Sequence, residues 1–185
     1  MCEVAGAENL PPEQPLPADT SPALTAFNQA SAEEARRQIS HCVALSDWCA
    51  AVVAGRPYAT PDALLRAAEE LTQAWDGRAL GQALSAHPRI GEKPQGAGKE
   101  ADLSRREQGS VSEEDVALKQ ALRAGNLAYE QRFGRVFLIR ASGRSGEEIL
   151  AALQRRLAND AQQEQREAIS QLREITLLRL KETFQ

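Results

Sequence analysis

Two short stretches of the chain hold side chains that could move protons. One is Ser85-Ala86-His87-Pro88-Arg89-Ile90-Gly91, the other the polar turn Ser104-Arg105-Arg106-Glu107-Gln108. A histidine titrates near neutrality and a carboxylate can share or orient its proton, so His87 and Glu107 are a candidate acid–base pair. Gly91, Pro94, Gly96 and Gly98 lie between the stretches, a run of helix breakers too dense to continue either neighbour. Proline after His87 pushes that residue out of the helical region and projects the ring away from the helix end. The glycines that follow let backbone come close to a ligand. Ser104-x-x-Glu107 is also a capping-box pattern, and the two roles are compatible: a capping turn presents N–H groups that favour an anion. This segment is the candidate active site.

A third residue joins from the far end of the chain. Ile169, Leu172 and Ile175 form a stripe at three-residue steps, and Arg179 continues it four residues on. An arginine on a core-facing stripe needs an anionic partner or must snorkel to the surface. His41, beside Cys42, falls within a predicted helix and reads as a surface or packing residue. Arg105-Arg106 and Arg155-Arg156 read as solvated faces. Cys42 and Cys49, seven apart in an apolar helical region, read as buried reduced thiols, and with His41 they offer too few ligands for zinc. No metal site is expected.

The elements that must position these groups are helical throughout. Ser31 to Glu34 is a capping box opening a helix to about Cys42, and Ser46 caps a second that stops at Gly55. Thr60-Pro61 opens a third, running to Trp75 and ended by Gly77. A short helix from Arg78 must stop by His87. Ser112 caps a long helix with Leu118, Leu122, Gly125 and Tyr129 on one face, ending at Phe133-Gly134. Val136-Phe137-Leu138-Ile139 is strand-like, but one strand cannot build a sheet, so an extended buried connector is predicted. Ser145 to Glu148 is another capping box, Asn159-Asp160 breaks its helix, and a last helix runs to near Phe184. The expectation is an all-α, single-domain bundle of about seven helices over residues 22–185. Residues 1–21, with Pro11, Pro12, Pro15 and Pro17, read as a flexible leader.

Composition narrows the partners. A chain of 185 residues with 42% apolar and only 4% aromatic residues can bury a core and leans towards helices. Lysine and arginine number 22 against 26 acids, a net charge of −4, so no basic face calls for nucleic acid. No run approaches the ~18 apolar residues of a membrane span. The N-terminus lacks a secretion signal and the C-terminus lacks a Ser-Lys-Leu address, from which a cytoplasmic location is expected.

"AHPRIG" at Ala86 to Gly91, "SRREQ" at Ser104 to Gln108, "NLAYEQRFG" at Asn126 to Gly134 and "FLI" at Phe137 to Ile139 stand together in one chain. With "WCAAVVAGRPY" from Trp48 and "LLRL" from Leu177, the sequence resembles the 2-oxo-4-hydroxy-4-carboxy-5-ureidoimidazoline (OHCU) decarboxylases over about Leu24 to Phe184. It departs from that pattern at Arg135, where the family often has an aromatic residue after the glycine.

The resemblance implies an all-helical, cofactor-free carboxy-lyase. It would act as a homodimer on a small ureide, forming (S)-allantoin in urate degradation. It implies that His87 is the catalytic proton donor and Glu107 its acidic partner. Substrate would be bound by Pro88, Ser104, Arg105, Arg106, Gln108 and Arg179, with the stretch Ile139, Arg140, Ala141, Ser142 and Gly143. Two rival readings remain: a non-catalytic helical binding module with a structural His-Pro turn, and another ureide-processing lyase or hydrolase.

Overall fold

The computed structural model describes residues 21–87, 89–90, 99, 103, 106–107 and 115–185. Among them are eight α-helices and no strand: α1 (Pro22–Gln29), α2 (Ala32–Ile39), α3 (Ser46–Ala54), α4 (Pro61–Thr72), α5 (Gly77–Leu84), α6 (Val116–Phe133), α7 (Gly146–Arg156) and α8 (Ala161–Phe184). The architecture is all-α, as the periodicity predicts.

Local signals set most helix ends. Thr60 accepts from Ala63 N–H with Pro61 in the first turn, and Ser145 and Glu148 make the full reciprocal capping box. Asp160 caps α8. Gly134 ends α6 at φ 70°, a left-handed cap that glycine adopts without strain.

Several boundaries differ from expectation, among them the end of α4, which stops at Thr72 rather than Trp75. Helix α1 follows directly on the proline-rich leader, where no helix is predicted: Ser21 caps it, Pro22 opens it, and Leu24 and Phe27 bury its inner face. Helix α2 stops at Ile39, so His41 lies in the turn beyond it. Ser46 is the first residue of α3 rather than its cap, and no side chain caps that end. Gly77 opens α5 because Asp76 accepts from Ala79 N–H. Ser112, expected to cap the long helix, lies outside the described residues; Asp115 caps α6.

Two apolar clusters fill the interior. The larger gathers α1 to α5 around α8, with Leu172 and Leu180 fully buried. The smaller joins α6 and α7 through Leu122, Tyr129, Ile149 and Leu153. At Gly125 the two helices approach so closely that an added Cβ would lie 2.5 Å from a Leu153 methyl. The segment after Gly134 stitches the clusters together. Phe137, Ile139 and Ala141 enter the smaller cluster while Leu138 enters the larger one. That two-residue alternation is the signature of an extended chain.

Beneath the connector sits a buried ion pair. Arg156 and Glu164 have side chains only 2% and 0% exposed. Arg156 donates from Nε and Nη2 to Glu164, gives Nη1 to the Leu138 carbonyl at 2.7 Å, and lies over the Phe137 ring. The Tyr129 hydroxyl and Asn159 also donate to Glu164. Of the Arg155-Arg156 pair, only Arg155 is solvated, facing Glu167. Adjacent helical residues point about 100° apart, so one arginine can face solvent while its neighbour enters the core.

Candidate active site

His87 is delivered by the unwinding end of α5. Ala86 and His87 donate their N–H groups to the Ala83 and Leu84 carbonyls, closing the last turn. Beyond it, α6 anchors the chain: Asn126 donates to the Ile90 carbonyl at 2.8 Å, and Arg89 forms a two-pronged ion pair with Glu130. The backbone is therefore anchored on both sides of His87.

Arg179 closes the stripe Ile169, Leu172, Ile175 and is itself 1% exposed. Its Nε and Nη2 donate to the two Glu107 oxygens, both at 2.9 Å, and Nη1 donates to the His41 carbonyl at 3.3 Å. Such a fork-to-fork pair fixes direction as well as charge. The anionic partner demanded by a buried arginine is Glu107, 72 residues away in sequence.

His87 feels the same guanidinium. Burial first, and the Arg179 charge second, push its imidazole down to about 4. Its Nε2 is buried and has no hydrogen-bond partner. At neutral pH the ring is uncharged, with a nitrogen available to a ligand. Arg179 is thus the common neighbour of the two predicted proton carriers: it binds Glu107 directly and its field acts on His87. The site sets a clamped carboxylate and a neutral base around one guanidinium, an arrangement suited to proton transfer on a polar substrate.

His41 is the residue that sequence reasoning missed. It is 7% exposed, and its Nε2 lies 2.8 Å from Thr183 Oγ1. Thr183 donates its own hydrogen to the Arg179 carbonyl, so His41 Nε2 carries the proton of that contact. Burial, then the charges of Lys99 and Arg179, lower His41 to about 4. No local sequence signal marks it: α2 ends at Ile39, and the turn beyond brings residue 41 against the last turn of α8.

The remaining candidates are distributed unevenly. Arg106 turns outward, its side chain 71% exposed and 3.7 Å from Glu182, because Glu107 beside it turns inward. Ile139 and Ala141 are buried in the smaller cluster, which also contains Ile90, three residues beyond His87. Arg140 sends its guanidinium towards Glu174, and Gly143 adopts φ 79° in the turn after Ser142. Pro88, Ser104, Arg105 and Gln108 lie outside the described residues. Cys42 and Cys49 are free and buried, and burial pushes their thiols up to about 12 and about 11. No helix among the described residues is long and apolar enough to cross a membrane, and none of their side chains cluster as a metal site would require.

Comparison with known proteins identifies the family. The family model for OHCU decarboxylase matches residues 28–181. An OHCU decarboxylase of Haloferax volcanii is 30% identical over 131 residues, 70% of this chain and 76% of that one. A bifunctional protein of uric acid degradation from Arabidopsis thaliana is 37% identical over 110 residues, 56% of this chain. The aligned part spans about a third of the Arabidopsis protein. A crystal structure of an OHCU decarboxylase solved in the presence of (S)-allantoin superposes with a TM-score of 0.68. It has 26% identity and covers 84% of this chain and 99% of the other.

Proposed function

The chain belongs to the OHCU decarboxylase family, and from that premise we propose that His87, Glu107 and Arg179 form the pocket in which it removes carbon dioxide from OHCU. The activity is decarboxylation of OHCU to allantoin in urate degradation. One observation carries the assignment of residues. A fully buried arginine grips Glu107 through two hydrogen bonds while its charge bears on a neutral, partner-free His87 nitrogen.

The chemistry follows from the substrate. When the bond to the carboxylate breaks, its electron pair needs a sink, a task that other decarboxylases assign to a cofactor. OHCU has an imine carbon next to the carbon that carries the carboxylate, so the pair flows into the substrate's own π system and carbon dioxide leaves. What the protein supplies is orientation and proton management. His87, neutral in the free protein, accepts the substrate hydroxyl proton and becomes an acid. It then returns that proton to one face of the enol carbon, while the imine nitrogen that took up the electron pair gains the second proton from water; delivery to carbon from one side gives a single enantiomer, (S)-allantoin.

Glu107, fixed by Arg179, orients the imidazole and the substrate hydroxyl. Arg179 holds the substrate's polar carbonyl and ureido groups, and such positioning can contribute several kcal/mol. Pro88, the turn from Ser104 to Gln108 and the backbone from Ile139 to Gly143 complete the contacts. A cytoplasmic homodimer belongs to the same reading, and light scattering of the purified chain tests the assembly.

OHCU decays spontaneously, so the decisive assay is the optical activity of the allantoin formed with and without the protein. Wild-type protein should give an optically active product. His87→Asn should reduce the reaction to the racemic background while keeping the helical circular dichroism spectrum. Enantioselective turnover by that variant would remove His87 from the mechanism.

A further inference from the structure

The connector from Phe137 to Ala141 is pinned along one edge only. Arg156 Nη1 donates to the Leu138 carbonyl at 2.7 Å, and the Arg140 N–H donates to Gln171 Oε1 of α8 at 2.9 Å. In an extended chain the Leu138 C=O and the Arg140 N–H point to the same edge, and the N–H and C=O of Ile139 point to the other. Among the described residues nothing hydrogen-bonds to either Ile139 backbone group. Yet Ile139 is 4% exposed and packs in the cluster that holds Ile90, close along the chain to His87. A bare backbone donor and acceptor at a buried position normally have a partner.

We propose that Gln171 is a positioning residue of the decarboxylase. By accepting from Arg140 N–H it sets the rotation of the connector, so that the Ile139 N–H and C=O face the substrate. An amide N–H beside a carbonyl acceptor complements a ureido or cyclic amide group, which offers a C=O and an N–H on one edge. Gln171 itself touches no substrate; it acts through the connector. Arg156 holds the preceding carbonyl on the same edge, but it also anchors Glu164, so Gln171 is the side chain that isolates the effect. The inference rests on the reading that Ile139 to Gly143 contact substrate.

The test compares Gln171→Leu, which removes the acceptor, with Gln171→Glu, which keeps one. Gln171→Leu should raise KM about fivefold, the factor that one ordinary hydrogen bond carries, with kcat changed less than twofold. Gln171→Glu should restore KM, a rescue that a purely structural role would not produce. Backbone amide exchange, followed by NMR with and without (S)-allantoin as the probe, separates the two layers. In the wild type, (S)-allantoin should slow exchange at Ile139 N–H. Absence of that protection overturns the substrate contact and this inference with it. Protection in the wild type, with Gln171→Leu binding and turning over normally, overturns the role of Gln171 and leaves the contact standing.

Discussion

Replacing Arg156 with methionine should be among the most destabilising single changes available to this fold. The substitution keeps most of the side-chain volume and removes the guanidinium. Glu164, 0% exposed, would then retain only the Tyr129 hydroxyl and Asn159 as near donors. The Leu138 carbonyl would lose its 2.7 Å partner in the interior. Breaking a buried pair by deleting one member costs about 3–5 kcal/mol, because an uncompensated charge stays behind. Against a total of roughly 5–15 kcal/mol for a domain, that is about a fifth or more of the stability.

The double variant Arg156→Met/Glu164→Leu removes the stranded charge as well. It should recover about 2 kcal/mol relative to Arg156→Met alone. Urea unfolding followed by far-ultraviolet circular dichroism, and by the fluorescence of Trp48 and Trp75, gives both numbers. A loss under about 1 kcal/mol for Arg156→Met would refute the reasoning, since that is the worth of a solvated pair. A double variant less stable than the single one would refute the stranded-charge account in particular.

Acid stability offers a second check. His41 and His87 are both lowered from 6.5 to about 4, so the folded state binds fewer protons than the unfolded chain between those values. Their contribution is constant above pH 6.5 and is lost as pH falls towards 4, by up to about 3 kcal/mol for each ring. His87→Asn should flatten the fall in unfolding free energy between pH 6.5 and 5; an unchanged slope would show that His87 titrates normally. Gly125→Ala places a methyl 2.5 Å from Leu153 Cδ2, and should cost about 1–3 kcal/mol in urea unfolding despite alanine's better helix propensity. A neutral or stabilising result there would mean that α6 and α7 can part at no cost.

What the sequence makes legible is local. Thr60-Pro61, the Ser145 and Glu148 box, Asp160 and Gly134 each act within one turn, and the ends they set agree with the structure. The inward direction of Arg179 is legible too, because periodicity along a single helix carries it. Partners across the fold are another matter. Nothing near Glu107 announces that its carboxylate ends on Arg179, since the capping pattern around it is complete without that contact. Arg156 sits beside another arginine, and a charge run does not say which member turns inward. His41 was hidden by two residues of helix length: α2 ends at Ile39, and only tertiary packing puts the next turn against Thr183. Helix α1 was obscured because Pro22, a helix opener after Ser21, follows a run of prolines that break helices.

Helix α8 serves as a ruler. Glu164, Gln171 and Arg179 lie along one uninterrupted rod, with about 22 Å between the first and the last. Spacing between the buried anchor, the clamp on the connector and the guanidinium is therefore set by counting residues, not by loops that could stretch. One residue gained or lost between Glu164 and Arg179 would turn everything downstream by about 100°, setting the scaffold and the chemistry out of phase. That intolerance of length change, more than any single side chain, is the constraint the helix imposes on how this sequence can vary.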